Sequence, residues 1–416
     1  METVIKTGFL SFNHGRYGKR NLLTASILFS SSLAWFYIFH VHLLDLILRI
    51  PGTDLIYVSI GKLLFYIATV VSGIGGSLLS EKVERRRLLF FCVTLAFLST
   101  ISLTILEGWE ISLLLSILLG VSFGLPFPIY QALLTESTKI VSRGRIAGIV
   151  ISCTFAIVVI ILLLATFLGL AKMDLVIICV ALNATSFLAL LAGPVQREIG
   201  PRRTWSDILY SANFSRYAVP WLIFNIANGL LFLGKISAKI ESVAVAGSAL
   251  EFFITIFTAL AAGFLADRIG RKQPMIAGLV ILGIGYAFFG LVASVESYLT
   301  YLIVEGIAWG LIAVIYMQVI LGDISADSGS KERYYAVGGL MIPFLTRTAF
   351  SVGQELTGLT VPVSWLSTVL SIITFLSVIP LLRAPETLPE QLIRKRQIKE
   401  HIDKVGKAIS ESEENE

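Results

Sequence analysis

Long apolar runs alternate with short polar stretches over almost the whole chain. At about 20 residues, each run is long enough for one helical crossing of a bilayer. Twelve crossings are predicted. Spans 1 to 6 lie near Leu22 to Leu44, Leu55 to Leu79, Leu88 to Leu106, Ile111 to Leu134, Ile146 to Gly169 and Leu175 to Gly193. Spans 7 to 12 lie near Tyr217 to Leu233, Val243 to Leu265, Pro274 to Val292, Tyr298 to Ile320, Tyr334 to Gly358 and Val363 to Leu382. The runs are continuous rather than alternating, which excludes a transmembrane β-barrel.

Inside several runs the few polar residues recur at helical spacing. Ser248, Glu251, Thr255 and Thr258 share one face of span 8; Lys62, Tyr66, Thr69 and Gly73 share one face of span 2. Pro343, Arg347, Ser351 and Gln354 do so in span 11, and Trp221, Asn225, Asn228, Phe232 and Lys235 in span 7. Span 10 contributes Tyr301, Glu305, Trp309 and Tyr316, and span 1 contributes Ser26, Ser30, Tyr37 and His40. Spans 3, 6, 9 and 12 hold no charge in their interiors.

Composition agrees with this pattern: 56% of the 416 residues are hydrophobic and 15% charged, against about 25% charged in soluble domains. The mean hydropathy is +0.83. Of the Lys and Arg residues, 27 fall on one set of loops and the terminal segments, and 4 on the other set. The positive-inside rule therefore predicts both termini in the cytoplasm. The net charge of +5 reflects that topology, and no basic folded surface suited to nucleic acid is evident. A polar, basic start of about 20 residues leads directly into span 1, so no cleavable signal is expected. Cys92, Cys153 and Cys179 fall inside separate spans and have neither disulfide nor metal spacing.

Two stretches repeat. "GFLADRIGRK", residues 263 to 272, has a blurred copy 186 residues earlier in "SLLSEKVERR". Arg143 and Gly148 in "SRGRIAGIV" match Arg333 and Gly338 in "ERYYAVGGL" at a separation of 190. The expected fold is therefore an all-α membrane protein, with twelve helices in two pseudo-symmetric six-helix bundles arranged as parallel repeats. Residues 1–193 form the first bundle and residues 217–385 the second. Residues 194–216 are a cytoplasmic linker with a short interfacial helix near Trp205 to Tyr210. Residues 386–416 are a charged cytoplasmic tail, helical around Ile393 to Ile409.

In the repeated stretch Gly263 allows close helix approach. Asp267 reads as a buried carboxylate able to accept hydrogen bonds from a neighbouring helix N-terminus or from Arg. Such a latch is complete only when the bundles are closed on the inside.

These residues carry a resemblance. Six plus six spans, with G-x-L-A-D-R-x-G-R-K after span 8 and a degenerate copy after span 2, resemble the major facilitator superfamily of secondary transporters. "ESTKIVSRGR", with Glu136, Arg143, Gly144 and Arg145, is similar to the E-x6-R-G-R of sugar porters, as "PETLPE" is to their ending after span 12. The resemblance implies a conformational latch of Asp267, Arg268 and Arg271 with Glu81, Lys82 and Arg85 of the weaker copy, joined by Glu136, Arg143 and Arg145. There are departures. Ser77 replaces the usual Gly and Lys139 a frequent Pro. Ser116 stands where many proton-coupled members carry Arg, which bears on the usual coupling scheme. Span 5 lacks the Gly-Pro motif of drug and proton antiporters.

Charges at the centre of a span each cost about 2.5 to 3.5 kcal/mol. Lys62, Glu251, Glu305 and Arg347 carry such charges, all about 10 to 15 Å from the outer end at 1.5 Å per residue. Two cations and two anions at one depth are expected to pair with one another. His40 and His42 read as interfacial, and Glu355 as too near the exit of span 11 to be buried. The candidate substrate contacts are Trp221, Asn225, Asn228, Tyr301, Trp309 and Arg347. Glu251, alternating between water and Arg347 or Lys62, is a candidate proton carrier.

The expected activity is transport of a small polar solute, a sugar or organic acid, across the cytoplasmic membrane by alternating access, with protons as the candidate coupling ion. No cofactor is expected, and the working unit is a monomer. An exporter of amphipathic compounds is the nearest alternative; a transporter-like sensor that binds without translocating is another. Enzymatic chemistry is disfavoured, since no nucleophile and base, phosphate loop or metal ligand set has useful spacing.

Overall fold

The computed structural model describes residues 18–49, 54–105, 108–193, 195, 200–235, 244–291 and 294–389, together with 391, 393, 398 and 402. The expected tail helix from Ile393 to Ile409 lies largely outside these residues. Among the described residues, eleven helices are long and apolar enough to cross a membrane. The twelfth is span 7, Ala212–Leu230, which continues as a 3-10 turn, Leu231–Leu233. Asn213, Asn225 and Asn228 dilute its apolar character.

The first half comprises span 1 (Lys19–Ile38, continued by a π-helical Phe39–Leu43 and by Leu44–Leu48), span 2 (Leu55–Leu79) and span 3 (Arg85–Ile105). Span 4 (Trp109–Glu136), span 5 (Arg143–Leu168) and span 6 (Lys172–Ala192) complete it. The second half continues from span 7 through span 8 (Ala244–Ile269), span 9 (Lys272–Leu291), span 10 (Val295–Ile324), span 11 (Lys331–Thr357) and span 12 (Val363–Leu382). Spans 10 and 11 each contain a π-helical segment, Val314–Ile320 and Tyr335–Met341. Such segments cluster at functional sites.

The basic loops lie on one surface, the basic side, opposite the far side. On the far side a two-residue parallel pair, Gly234–Lys235 with Val361–Pro362, joins the end of span 7 to the start of span 12. On the basic side the linker helix Trp205–Leu209 is capped reciprocally. Asp207 N–H donates to Thr204 Oγ1 at 3.2 Å, and Thr204 N–H to Asp207 Oδ2 at 2.9 Å. These bonds hold the exposed Asp207 carboxyl below the usual carboxylate range. The linker is stitched to span 11, where the Arg333 guanidinium lies 5.5 Å from the Trp205 ring and donates to Arg203 O at 2.8 Å.

Small residues bring the halves into backbone contact. A Cβ on Gly148 of span 5 would lie 2.7 Å from Ala259 O of span 8, and one on Gly144 2.5 Å from Gly263 O. Any side chain there would push spans 5 and 8 apart. The outward faces are apolar, with Val71, Leu98, Phe167, Ile177 and Leu291 exposed, as lipid contact requires.

Candidate substrate site and its gates

Two polar assemblies join the halves, one at the basic side and one in the far half of the bilayer. At the basic side the N-terminal N–H groups of span 5 would be orphans, because its N-cap Ser142 makes no side-chain cap. Asp267 of the other half supplies the cap. Its Oδ1 accepts from Gly144 N–H at 2.9 Å and its Oδ2 from Arg145 N–H at 3.0 Å, with Arg145 Nε at 3.2 Å. Arg271, fully buried, holds the same carboxylate at 3.2 Å. The positive end of the span 5 dipole and two guanidinium groups thus meet one carboxylate.

Around this cap run two ion-pair chains related by the internal repeat. Arg85 bridges Glu136 of its own half, at 2.6 Å, and Glu332 of the other, at 2.5 Å. Arg271 reaches Asp323 of its own half at 3.2 Å, and Asp323 also receives Arg143 from the first half. Arg333 Nη2 donates to Glu81 Oε2 at 2.8 Å. Thr387 donates to Asp323 Oδ2 at 3.0 Å, and Glu386 accepts from Arg271 N–H at 2.9 Å, where it caps span 9. The "PETLPE" segment is therefore bound onto the second half across the expected boundary at residue 385. Lys82 and Arg268 are exposed. Lys331 Nζ lies 4.0 Å from Glu136 Oε1. The sequence marks Asp323, Glu332, Lys331 and Glu386 only by their charge within a basic loop or an apolar end.

The far assembly differs from the expected four-charge cluster. Lys62 pairs with Glu355 at 2.6 Å and Asp45 at 2.8 Å, rather than with Glu251 or Glu305. Side chains lean toward the N-terminus of their helix. Span 2 starts on the far side, so Lys62 reaches outward to the span ends; span 11 starts on the basic side, so Arg347 leans inward. Glu355, expected to be clear of the protein interior, is the lysine's partner and is only 20% exposed. Ser59 Oγ donates to it at 3.0 Å.

Deeper lie Glu251, Glu305 and Arg347. Thr255 and Thr258 of span 8 donate to Gly306 O of span 10 at 3.2 and 3.1 Å, which sets Glu251 and Glu305 on adjoining turns. Glu251 lies near Glu305, and Arg347 of span 11 lies near both. Asn228 Nδ2 donates to Glu305 Oε1 at 2.5 Å. His40 is not interfacial: it stacks on Phe36 and shares a hydrogen bond with Tyr66 OH at 2.8 Å. Aromatic contacts cross between the halves at this level, Tyr37 with Phe252 and Phe36 with Phe344.

The aromatic candidates divide. Trp309 packs edge-on to Phe224 and Trp221 and is partly exposed. Trp221 is sealed, with its Nε1 donating to Gly338 O at 2.8 Å in the π segment of span 11. Asn225 donates to Trp221 O on its own helix. Tyr301 is packed among Tyr286, Phe289 and Tyr298 of spans 9 and 10. The side chains of Ser248, Phe232 and Lys235 lie outside the described residues, as does that of His42.

At the level of sequence, no family model matches the chain and no curated protein is significantly similar to it. The fold is similar to that of the human organic anion transporter MFSD10 (TETRAN), with a TM-score of 0.65 over 87% of this chain and 99% of that one, at 12% identity. At that identity the likeness is one of fold: twelve helices in two six-helix bundles.

Proposed function

We propose that this chain is a secondary active transporter of a small polar solute, of the sugar or organic-acid class, and that the structure is its conformation closed on the basic side. The observation that carries the reading is the Asp267 cap. A buried carboxylate of one half completes the helix terminus of the other, an arrangement that a rigid scaffold does not need and a two-state interface does. The basic side is assigned to the cytoplasm, and the solute site to the layer of Asn228, Glu305, Trp309, Arg347 and Glu251. Arg347 supplies a cation for an acidic solute, and the organic-anion transport in the name of the similar structure is compatible with that class. Counterflow of labelled solute in proteoliposomes of purified protein separates this reading from a sensor, which binds but exchanges nothing. A thermal-shift screen of sugars, carboxylates, amino acids and lipophilic cations supplies the solute.

Glu251 is the proposed proton carrier, because it is a half-buried carboxylate where span 8 packs on span 10, beside the buried Glu305. Glu251→Gln is expected to leave solute exchange intact while uptake loses its response to an imposed pH gradient. Uptake still driven by that gradient in the variant would refute the assignment.

Lys62 is the proposed far gate, a single cation between Asp45 of span 1 and Glu355 of span 11. Because it is partly exposed, its loss is milder than that of a buried pair. Lys62→Ala is expected to raise the labelling rate of a cysteine placed at Ser59 by several-fold from the far side. An unchanged rate would mean that the lysine closes nothing.

A further inference from the structure

Between the basic gate and the solute layer, spans 4 and 10 touch at Thr135 and Gly322. Thr135 Oγ1 shares a hydrogen bond with Tyr335 OH of span 11. A Cβ on Gly322 would lie 2.9 Å from that Oγ1 and 3.1 Å from the tyrosine oxygen. One helical turn further from the gate on each helix stands a glutamine: Gln131 four residues before Thr135, and Gln318 four residues before Gly322. They are separated by 187 residues, as are Glu136 and Asp323 of the two ion-pair chains, so the internal repeat relates them. Both are buried, at 0% and 1% exposure. On both, the amide oxygen and the amide nitrogen have no hydrogen-bond partner. Gln131 presses against the π segment of span 11, where a Cβ on Gly339 would lie 2.8 Å from its Oε1. Two primary amides, each with two donor hydrogens and a carbonyl, are thus enclosed unpartnered at the contact between the halves.

An enclosed amide without a partner raises the free energy of the state that encloses it. The ion pairs a turn away lower the free energy of that same state. We propose that Gln131 and Gln318 are positioning residues that oppose the basic-side latch: they are unsatisfied when the halves close there and hydrated when they part, so neither conformation becomes a trap. The inference rests on the alternating-access reading, but its measurement does not require transport. Neither amide hydrogen-bonds to the ion pairs or to the solute layer; both act through the free-energy difference between two arrangements.

The test uses the full chain in nanodiscs, with spin labels on cysteines replacing the exposed Arg87 of the first half and Arg383 of the second, and the three native cysteines removed. Electron–electron distance measurements then give the ratio of short, closed separations to long ones. Gln131→Met with Gln318→Met keeps volume and removes the amides. It is expected to raise the closed-to-open ratio roughly tenfold or more and to raise the thermal midpoint. Gln131→Glu with Gln318→Glu adds charge at the same atoms and is expected to move the ratio the opposite way. A methionine variant whose ratio is unchanged or lower overturns the proposal, as does a glutamate variant that closes further. Absence of counterflow in the unaltered protein would count against transport alone, since the distance ratio reports the gate directly.

Discussion

Asp267→Asn is expected to unlatch the basic side. Asparagine retains one carbonyl acceptor for a span 5 N–H but loses the charge that faces the helix terminus, Arg145 and Arg271. Breaking a buried, hydrogen-bonded ion pair from one side costs about 3 to 5 kcal/mol, which lowers the closed population by roughly 100-fold or more. The check is alkylation of a cysteine placed at Ser325, which is fully buried beside this network, by an impermeant maleimide offered from the basic side. Fast labelling together with at least tenfold slower counterflow is expected, while solute affinity changes little because no solute-layer residue is altered. Slow labelling with full counterflow would remove Asp267 from the gate.

The second large effect is expected at Arg347. Its removal leaves the half-buried Glu251 and the buried Glu305 as neighbouring carboxylates without the cation beside them, and an unmatched charge inside the protein is destabilising. Arg347→Ala is expected to lower the thermal midpoint and to abolish both solute-induced stabilisation and counterflow. Adding Glu305→Gln to that variant removes one surplus charge and is expected to restore the midpoint without restoring binding. Recovery of both properties in the double variant would make Arg347 a structural counter-ion with no share in recognition. Arg347→Lys is expected to fall between, since an ammonium keeps the charge but not the planar fork.

Span positions were legible because lipid imposes continuous apolar length, and Leu55–Leu79 matches its expectation at both ends. The buried Asp267 carboxylate and its helix-terminus partner were legible because Gly263, Asp267 and Arg271 sit at helical spacing in a repeated motif. Partners were not legible, because charge is written locally and pairing is not: Arg85 meets Glu332 across 247 residues, and Lys62 meets Glu355 across 293. Depth alone places Lys62 beside the buried carboxylates, but the direction in which its helix throws the side chain carries its Nζ to the span end. Helical stripes also mislead where the period changes. The π segments Val314–Ile320 and Tyr335–Met341 insert extra residues, so a face drawn through spans 10 or 11 at 3.6 residues per turn rotates partway along. Tyr301 shows a further limit, since a polar stripe does not say whether it faces the other half or span 9.

In alternating access the two halves part and meet about the solute layer. It is tested most directly by tying them together at the basic side, with cysteines at Glu81 and Arg333 joined by a short bifunctional thiol reagent in a background without native cysteines. Reconstituted protein is predicted to lose counterflow when cross-linked, to keep solute-induced thermal stabilisation, and to regain counterflow when the reagent is cleaved. Undiminished counterflow with the link intact would contradict the account.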